Sequence, residues 1–540
     1  MAETPTQTDY DAVVVGAGFG GIFMLYKLRE ELGLSVRLYD KASGVGGTWY
    51  WNRYPGAMSD SYADVYCYSF DKELLQDWGI PHRYVKQPQV LKYLEHVAER
   101  HDLYKDIQFD TGMTGAEFDE QRNVWTVRFD DGTEVTARYL VTALGLLSHR
   151  NIPAFPGLGS FAGETYHTGA WPQGVELAGK RVGIIGTGST GVQVITEIAP
   201  IVGHLTVFQR SPQYTVPAGN RPMSDEEQAE IKGNYDAIWE RARKSIIAFD
   251  VPESDVPAMS VSAEERRRIF QDAWDKGNAF RFSFGTFSDI LVDPQANEET
   301  CEFVRSKIAE IVTDPETARK LSPRDLYAKR PLCDSGYYQQ YNRDNVKLVH
   351  VGETPIEEIV PSGIRTADGV THEFDVLIYA TGFDAIDGSY KVLDLKGRGG
   401  LTMQEHWADG PTSFMGVATN AFPNMFIIMG PNGPFTNLPP AIEVQGEWIS
   451  DVIARAERDG ATTVEVTRDA EDGWTRICED IANATLLPQS NAWFFGANIP
   501  GKPHAITFYL GGMVGYCDVL DEIVDDGYRG LEFRTPATTG

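Results

Sequence analysis

The sequence predicts an α/β fold that contains two Rossmann-like dinucleotide-binding domains and a helical insertion. Two glycine-rich loops, residues 16–21 and 186–191, begin 170 positions apart, and each lies between a strand-length apolar run and a predicted helix. Helix-capping patterns recur between residues 223 and 331. A chain of 540 residues is also too long for one hydrophobic core. These observations together predict at least two nucleotide-binding units.

The first loop, GAGFGG, follows residues 11–15, DAVVV, a β-branched run typical of a buried parallel strand, and it leads into a helix predicted over residues 22–31. In such loops Gly16 permits a tight turn, Gly18 lets the backbone approach a pyrophosphate, and Gly21 lets the helix pack on the strand. The second loop, GTGSTG, repeats the arrangement after residues 180–185, KRVGII. The N–H groups at each helix start attract phosphate, so two dinucleotide sites are predicted.

The two sites differ at the end of their second strand. Asp40 lies nineteen residues after Gly21, where a carboxylate accepts hydrogen bonds from ribose hydroxyls and repels a 2′-phosphate. Arg210 lies nineteen residues after Gly191, where a guanidinium can pair with a 2′-phosphate. We therefore predict FAD in the first domain and NADPH in the second. The alternative for Arg210 is a solvated surface arginine.

Composition excludes several classes of function. The net charge of −29 argues against nucleic-acid or anionic-membrane partners. The five cysteines include no CxxC pair, so we expect neither a metal site nor a redox-active disulfide. The first residues lack the basic and apolar regions of a signal peptide, and no apolar run is long enough to span a membrane. We expect a cytoplasmic monomer.

The chain organisation follows from turn and capping signals. Asp131-Gly132 between two alternating runs predicts a hairpin, and the Pro- and Gly-rich residues 152–159 predict a linker. Ser224 with Glu227 and Ser262 with Glu265 predict capping boxes, and Asp314-Pro315 opens another helix. We predict five segments: residues 1–150, first part of the FAD-binding domain; 151–222, first part of the NADP-binding domain; 223–331, a helical insertion; 332–387, second part of the NADP-binding domain; and 388–540, C-terminal part of the FAD-binding domain.

Two long motifs identify a family. Residues 161–172, FAGETYHTGAWP, match the pattern FxGxxxHxxxW[P/D], and residues 46–60, GGTWYWNRYPGAMSD, match [A/G]GxWxxxx[F/Y]P[G/M]xxxD. The chain resembles the type I Baeyer–Villiger monooxygenases, most closely the cyclohexanone monooxygenases among them. The resemblance covers nearly the whole chain and continues through residues 327–334, 430–440 and 493–502.

The resemblance implies a reaction. An FAD- and NADPH-dependent enzyme of this family inserts one oxygen atom of O₂ next to the carbonyl of a cyclic ketone, giving a lactone through a 4a-peroxyflavin and a Criegee intermediate. Arg330 would favour the anionic peroxide and stabilise the oxyanion, because an arginine does not lose its charge. Asp60 would be its carboxylate partner. Lys329 would join Arg210 and Ser211 around the 2′-phosphate, and Trp493 would hold the nicotinamide ribose.

The resemblance also implies which residues surround the cofactors and the substrate. The cofactor-binding residues would be Gly16, Gly18, Phe19, Gly21, Asp40, Lys41, Gly47, Thr48, Trp49, Asp60, Tyr66, Met113, Gly186, Thr187, Gly188, Ser189, Thr190, Gln193, Arg210, Ser211, Lys329, Arg330 and Trp493. The apolar pocket for the ketone would be formed by Leu146, Leu147, Phe280, Phe435, Thr436, Leu438 and Phe508. Each pocket residue has the alternative of an ordinary core position, and Lys329 and Arg330 have that of solvated charges.

Other functions remain to be weighed. A flavin N- or S-oxygenase is the main alternative, although such enzymes usually carry a different residue in place of Trp171. A disulfide reductase needs a dithiol that this sequence lacks. A redox-sensing protein that does not turn over would have lost Asp60, Lys329 and Arg330, which are all present. His167 and Trp171 mark the family, but we expect them to brace the link between the domains rather than contact the substrate.

Overall fold

The computed structural model describes residues 8–535. Residues 1–7, which begin the segment expected to lack a signal peptide, and residues 536–540, which end the last predicted segment, lie outside this range. Two mainly parallel sheets organise the described chain, as the two nucleotide-binding motifs predict. Within residues 8–535, no helix combines the length and the apolar character that a membrane span requires.

The first sheet has eight strands and contains the first glycine-rich loop. Parallel pairing joins Tyr10–Val15 to Val36–Tyr39 on one side and to Glu134–Thr142 on the other. The predicted hairpin around Asp131-Gly132 pairs Val124–Phe129 with Glu134–Thr142 in an antiparallel direction, and Met113–Asp119 adds a second antiparallel pairing to Val124–Phe129. The strands in order are Asp394–Lys396, Met113–Asp119, Val124–Phe129, Glu134–Thr142, Tyr10–Val15, Val36–Tyr39 and Ile107–Gln108, with Met425–Ile427 also paired to Glu134–Thr142.

The second sheet has five parallel strands and contains the second loop. In order they are Glu164–His167, Val376–Tyr379, Arg181–Ile185, His204–Gln209 and Val346–His350. Strands on both sides of the insertion therefore belong to this sheet, and strands from both ends of the chain belong to the first. The boundaries predicted at residues 150, 222, 331 and 387 remain our proposal.

Smaller sheets complete the described chain. Two-stranded pairs join Met58–Tyr62 with Tyr84–Lys86, Thr215–Pro217 with Leu332–Asp334, His149–Arg150 with Phe383–Asp384, Gly433–Pro434 with Phe508–Tyr509, and Thr463–Val466 with Leu531–Arg534; a three-stranded meander comprises Ile356–Val360, Gly363–Thr366 and Thr371–Glu373. The pairing of His149–Arg150 with Phe383–Asp384 matters most for the site, because these are the two places where the chain passes between the large sheets.

The helices pack on the faces of both sheets and form the insertion. They are Phe19–Tyr26, Thr48–Trp51, Lys72–Asp77, Gln87–Arg100, Ser189–Ile198, Asp225–Gly233, Tyr235–Arg243, Ala263–Lys276, Ala279–Phe284, Pro294–Ile311, Pro315–Leu321, Tyr337–Gln340, Met403–His406, Leu438–Asp459, Arg468–Asn483 and Gly512–Asp525. The first helix predicted, residues 22–31, is in fact Phe19–Tyr26 followed by a π-helical turn, Lys27–Glu31.

The capping signals in the insertion are confirmed with one correction. Ser224 and Glu227 form a reciprocal capping box, and Asp314 caps the helix Pro315–Leu321. The prediction for Ser262 and Glu265 is half wrong. The Ser262 hydroxyl accepts a hydrogen bond from the Glu265 N–H, but the Glu265 carboxylate accepts from Arg268 and does not return to the cap. A nearby guanidinium is the stronger partner for that carboxylate.

Candidate active site

Both glycine-rich loops have the same backbone geometry. Gly16 has φ +106° and Gly186 has φ +110°, a region that favours glycine. A Cβ atom on Gly16 would lie 2.4 Å from the carbonyl oxygen of Ala143, and one on Gly186 would lie 2.3 Å from that of Ala380. Each loop therefore packs directly on the residue after a strand that leads out of its sheet.

The helices that follow the loops start without a side-chain cap. Their N-cap residues are Gly18 and Gly188, so the first-turn N–H groups remain available to an anion. A Cβ atom on Gly188 would meet nothing within 4 Å, which leaves open space beside that backbone. On Gly21 and Gly191 it would lie 1.7 and 2.3 Å from the carbonyl oxygen of the first glycine in the same loop. Both loops fit a pyrophosphate.

The ends of the second strands carry opposite charges. Asp40 is buried, and its carboxylate accepts hydrogen bonds from the N–H groups of Ala17 (2.5 Å) and Ala42 (2.7 Å). Burial raises the pKa of Asp40, and those two N–H groups oppose the rise. Arg210 is exposed and forms no ion pair with any residue in the described range. The arrangement fits a ribose at Asp40 and a phosphate at Arg210.

The motif of residues 46–60 lies against the first loop. Gly47 backs onto Gly18, since a Cβ atom on Gly47 would lie 2.8 Å from the Gly18 Cα. The indole N–H of Trp49 donates to the hydroxyl of Tyr66 (3.2 Å), and the ring of Phe19 meets Tyr66 edge-on at 5.6 Å. The predicted FAD-side residues Gly47, Trp49 and Tyr66 therefore form one layer beside the start of the helix Phe19–Tyr26.

The remaining FAD-side residues lie at the rim of this layer. Lys41 is exposed, with its ammonium 5.6 Å from the centre of the Trp51 ring. Thr48 is exposed and begins the helix Thr48–Trp51. Met113 begins the strand Met113–Asp119. It follows Gly112, and a Cβ atom added to Gly112 would lie 3.3 Å from the Lys41 Cβ. All three positions are accessible to a nucleotide lying along the loop.

The NADP-side residues cluster around the second loop. The Thr187 hydroxyl donates to the carbonyl of Ser211 (3.2 Å), which joins the loop to the end of the neighbouring strand. Ser189 and Thr190 form the first turn of the helix Ser189–Ile198, and Gln193 follows one turn later. The structure thus brings together the residues that the sequence placed at this site.

Asp60 and Arg330 form an ion pair between the first segment of the FAD-binding domain and the end of the insertion. Asp60 lies in the strand Met58–Tyr62, and Arg330 directly precedes the strand Leu332–Asp334. Their atoms Oδ2 and Nη1 are 2.6 Å apart; the Asp60 side chain is 4% exposed and that of Arg330 is 26% exposed. Burial acts to lower the pKa of Arg330, but the charge of Asp60 and its hydrogen bond, together with smaller effects of Cys333 and Tyr66, outweigh burial and raise the pKa. Arg330 is a permanent cation with an accessible face.

Three atoms in this pair are available to a ligand. The Asp60 Oδ1 is buried and accepts no hydrogen bond from residues 8–535. Arg330 also donates through Nη1 to the carbonyl of Pro331, and its Nη2 and Nε have no partner among the described residues. A buried acceptor without a donor is costly unless a ligand or water satisfies it. The pair fits the edge of a bound cofactor.

Lys329 directly precedes Arg330 in the chain, and the segment that contains Trp493 contacts the same stretch at Ala328. The Lys329 ammonium pairs with the Asp325 carboxylate at 2.6 Å. Lys329 and Asp325 line a cleft together with Pro212 and Gln213, which follow Ser211 in the chain. Trp493 is half-buried, and its segment is fixed by the Ser490 hydroxyl, which donates to the carbonyl of Ala328 (2.8 Å).

Four of the seven predicted pocket residues belong to one apolar cluster with Trp493: Leu146, Leu147, Phe435 and Phe508. Phe435 and Phe508 meet edge-on at 5.1 Å. Phe280 and Leu438 pack instead on the main core, although Phe280 also lies 5.5 Å below the guanidinium of Arg330. Thr436 has a buried hydroxyl that forms no hydrogen bond within the described chain.

The motif of residues 161–172 lies where the chain passes between the sheets. His167 is buried, its ring meets Phe383 edge-on at 5.9 Å, and burial followed by the charge of Arg150 lowers its pKa to about 4. The main-chain N–H of Trp171 donates to the main-chain carbonyl of Trp51 (3.2 Å). The two family motifs therefore contact each other, in a geometry that fits a bracing role.

Comparisons with known proteins agree with this geometry. Residues 10–216 match the family model described as flavin-binding monooxygenase-like. A Baeyer–Villiger monooxygenase of Pseudooceanicola batsensis is 54% identical over 97% of this chain and 96% of its own. A cyclohexanone monooxygenase from Rhodococcus sp. Phi1, solved with NADP⁺, has a TM-score of 0.97 and 57% identity, covering 98% of this chain and 99% of that one.

The chain belongs to the Baeyer–Villiger monooxygenases. Its predicted fold class and its predicted nature as an NADPH-dependent flavin monooxygenase are confirmed, and so are its cofactors, FAD and NADPH. A phenazine N-monooxygenase of Lysobacter antibioticus is also 54% identical, over 97% of each chain, so the family at this level of identity includes more than one named activity.

Sequence reasoning missed three features of this Baeyer–Villiger site. Phe249 stacks on Phe280 at 4.0 Å, but it lies in an irregular loop where no periodicity marks it. Asp325 neutralises Lys329, and a carboxylate four residues before a lysine was a visible signal. Tyr54 contacts the NADP-side helix and stood in the motif of residues 46–60, where it could have been noticed. Within residues 8–535 no cluster of ligating side chains could hold a metal ion.

Proposed function

We propose that this protein converts a cyclic ketone similar to cyclohexanone into a lactone, using NADPH and one oxygen atom of O₂. In balance, ketone, O₂, NADPH and H⁺ give lactone, NADP⁺ and water. FAD, which the loop of residues 16–21 and Asp40 would hold, would supply when bound the redox chemistry that connects NADPH with O₂. The ion pair of Arg330 with Asp60 carries the proposal, because it supplies a permanent cation with free donors beside the aromatic ring of Phe280.

Arg330 would act in two ways. Its charge favours the anionic, nucleophilic form of the oxidant over the protonated form, since a nearby cation lowers the pKa of an acid. Its unpaired N–H groups would then stabilise the oxyanion that develops on the ketone, an effect worth roughly 3–4 kcal/mol in a site that excludes water. Asp60 would orient the guanidinium through its 2.6 Å contact.

The ketone would lie in the aromatic region beside Arg330. Phe280 and the stacked Phe249 lie under the guanidinium, and the cluster of Phe435 and Phe508 lies beside Trp493. Apolar walls around one charged group suit a ketone, which has a single polar oxygen. Ser211, Lys329 and Arg210 would hold the 2′-phosphate of NADPH. A monomeric state and a cytoplasmic location belong to the same proposal and rest on the sequence.

A heteroatom oxygenase is the second candidate, because a phenazine N-monooxygenase is as similar to this chain as a Baeyer–Villiger monooxygenase is. The two reactions need opposite forms of the oxidant. Attack on a ketone carbonyl requires a nucleophilic anion, whereas oxygen transfer to nitrogen requires an electrophile. The Arg330 cation favours the anion, and ketone oxidation is therefore the better-supported reaction.

The deciding experiment incubates the flavoprotein with NADPH, ¹⁸O₂ and either cyclohexanone or phenazine. We expect ε-caprolactone with one labelled oxygen, and little phenazine N-oxide. Arg330→Ala should keep flavin reduction by NADPH and lose lactone by at least about 10²-fold, because it removes the charge that acts at the transition state. Arg324→Ala, at an exposed position of the same segment, is the matched control and should behave as the parent. N-oxide without lactone, or full lactone formation by Arg330→Ala, would contradict the proposal.

A further inference from the structure

One glutamine joins the NADP-side helix to the segment that leads into Asp60. The hydroxyl of Tyr54 donates to Oε1 of Gln193 (2.8 Å), and Nε2 of Gln193 donates to the carbonyl of Met58 (3.0 Å). Gln193 is buried in the helix Ser189–Ile198. A single amide of the NADP unit therefore holds both ends of the turn formed by residues 54–58.

The backbones also approach closely at this turn. Gly56, at its centre, has φ +83°, and a Cβ atom there would lie 2.7 Å from the carbonyl oxygen of Gln193. Only glycine allows this approach. Met58 begins the strand that contains Asp60 two residues later. The position of Asp60 relative to the NADP-side helix thus depends on this turn.

Tyr54 lies within reach of the charges that perform the proposed chemistry. Burial raises the pKa of Tyr54, and the charges of Asp60 and Arg330 act on it with opposite signs. The phenol therefore stays protonated at neutral pH and can donate to Gln193. The ion pair and the amide are parts of one buried polar arrangement.

Gln193 has hydrogen-bonding capacity left for a ligand. A glutamine amide has two N–H donors and two acceptor lone pairs. Tyr54 uses one acceptor position and Met58 one donor, which leaves one of each. Gln193 lies two residues after the loop of residues 186–191, where the phosphates of NADPH would lie.

We propose that Gln193 is a positioning residue, which through Tyr54 and Met58 sets the place of Asp60, and through Asp60 that of Arg330. This proposal rests on the proposed role of Arg330 in lactone formation. It goes further by making the alignment of the ion pair dependent on contact between the NADP-side helix and the turn of residues 54–58. Disturbing the amide should impair oxygen transfer more than hydride transfer, because Arg330 acts only after the flavin is reduced.

The test compares Tyr54→Phe, Gln193→Leu and the double variant as flavin-loaded enzymes. The readouts are lactone formed per NADPH oxidised, anaerobic flavin reduction by NADPH, flavin content and unfolding midpoint. For Tyr54→Phe we expect reduction within about twofold of the parent and at least about fivefold less lactone per NADPH, since misplacement by a fraction of an ångström is costly in catalysis. The double variant should be no worse than the worse single one, because both substitutions break the same linkage.

Thr196→Val is the matched control. Thr196 lies on the same helix, but its hydroxyl donates to the carbonyl of Val192 (2.7 Å) and not to the turn. Thr196→Val should form as much lactone per NADPH oxidised as the parent does. Should Gln193→Leu fail to bind flavin, Tyr54→Phe decides, because it removes a single oxygen atom. Normal coupling in Tyr54→Phe, or a lower midpoint with normal coupling, would overturn the inference. Arg330→Ala measured alongside separates the two levels: if it still makes lactone, the proposed function itself is wrong.

Discussion

Arg330 and Asp60 show how much of this site depends on single long-range contacts. They are separated by 270 residues in the chain and by 2.6 Å in space. The carboxylate is almost fully buried, so its desolvation is offset only by the guanidinium and by whatever occupies its second oxygen. Removing one member of such a pair leaves an uncompensated buried charge. Conservative substitutions such as Asp60→Asn are therefore more informative than truncations.

Asp64, a second buried acid near the site, predicts a pH-dependent stability. Burial and the nearby carboxylate of Asp250 raise its pKa to about 7, and its Oδ1 has no hydrogen-bond donor in the described chain. The folded state then holds a proton that the unfolded state releases near its ordinary pKa of 3.8. The contribution of Asp64 to the free energy of unfolding therefore decreases by roughly 2–4 kcal/mol as the pH rises from about 4 to 7.

Asp64→Asn should remove this loss. We expect its unfolding midpoint to exceed that of the parent at pH 8, and the gain to shrink steadily as the pH is lowered to 5. Thermal unfolding across this range measures it. Asp236→Asn, at an exposed aspartate paired with Lys72, should shift the midpoint little at any pH. A gain that is constant with pH would show that Asp64 is not protonated in the folded state.

At the scale of elements, the same strand–loop–helix device is used twice. In each copy the first glycine packs on an alanine carbonyl at a strand end and the last packs on the first. This repetition is why the loops could be assigned from sequence. The turn of residues 54–58 is a different kind of element, because its shape is set by a partner helix from the other unit.

Gly56→Ala tests how much that turn depends on close approach. Gly132 is the matched control, since it has a similar φ of +86° but its Cβ would meet nothing within 4 Å. We expect Gly132→Ala to cost about 1 kcal/mol from backbone strain alone. Gly56→Ala should lower the unfolding midpoint further and also reduce lactone formed per NADPH. Equal effects of the two substitutions on both readouts would show that the contact with Gln193 is unimportant.

At the scale of the molecule, two sheets are joined by a paired double crossing. The strands His149–Arg150 and Phe383–Asp384 are antiparallel neighbours, so both connections run through one narrow region. His167 packs on Phe383 there, and Trp171 donates to Trp51 in the FAD-side motif. We therefore expect a nucleotide that binds one of the two sheet-containing units to stabilise both of them.

NADP⁺ should stabilise the flavoprotein more than NAD⁺ does. At a concentration 100 times the dissociation constant, binding to the folded state adds about 2.7 kcal/mol. Arg210 is exposed and without a carboxylate partner in the described range, so a 2′-phosphate meets its full charge. Arg210→Ala should lower the midpoint shift caused by NADP⁺ and leave that caused by NAD⁺ unchanged. Equal losses with both nucleotides would place the phosphate elsewhere.

Local chemistry made most of the fold predictable. The two parallel sheets, the hairpin at Asp131-Gly132 and the helix starts at Ser224 and Asp314 all depend on residues within a few positions of each other. The contrast between Asp40 and Arg210 was readable for the same reason, because a fixed offset follows from strand and helix length. Where distant charges intervened, as at Glu265, the local rule was insufficient.

Contacts between distant segments could be known only from the tertiary structure. The sequence contained Asp60, Arg330, Tyr54 and Gln193, but their distances depend on how two sheets and an insertion pack together. The same holds for Phe249, which reaches Phe280 from a loop without periodicity. The amino-acid pattern alone therefore established the fold class and the two cofactors, because these follow from short-range geometry, and the family was identified by the resemblance of two long motifs. The arrangement of the site was decided by long-range packing, which no local pattern encodes.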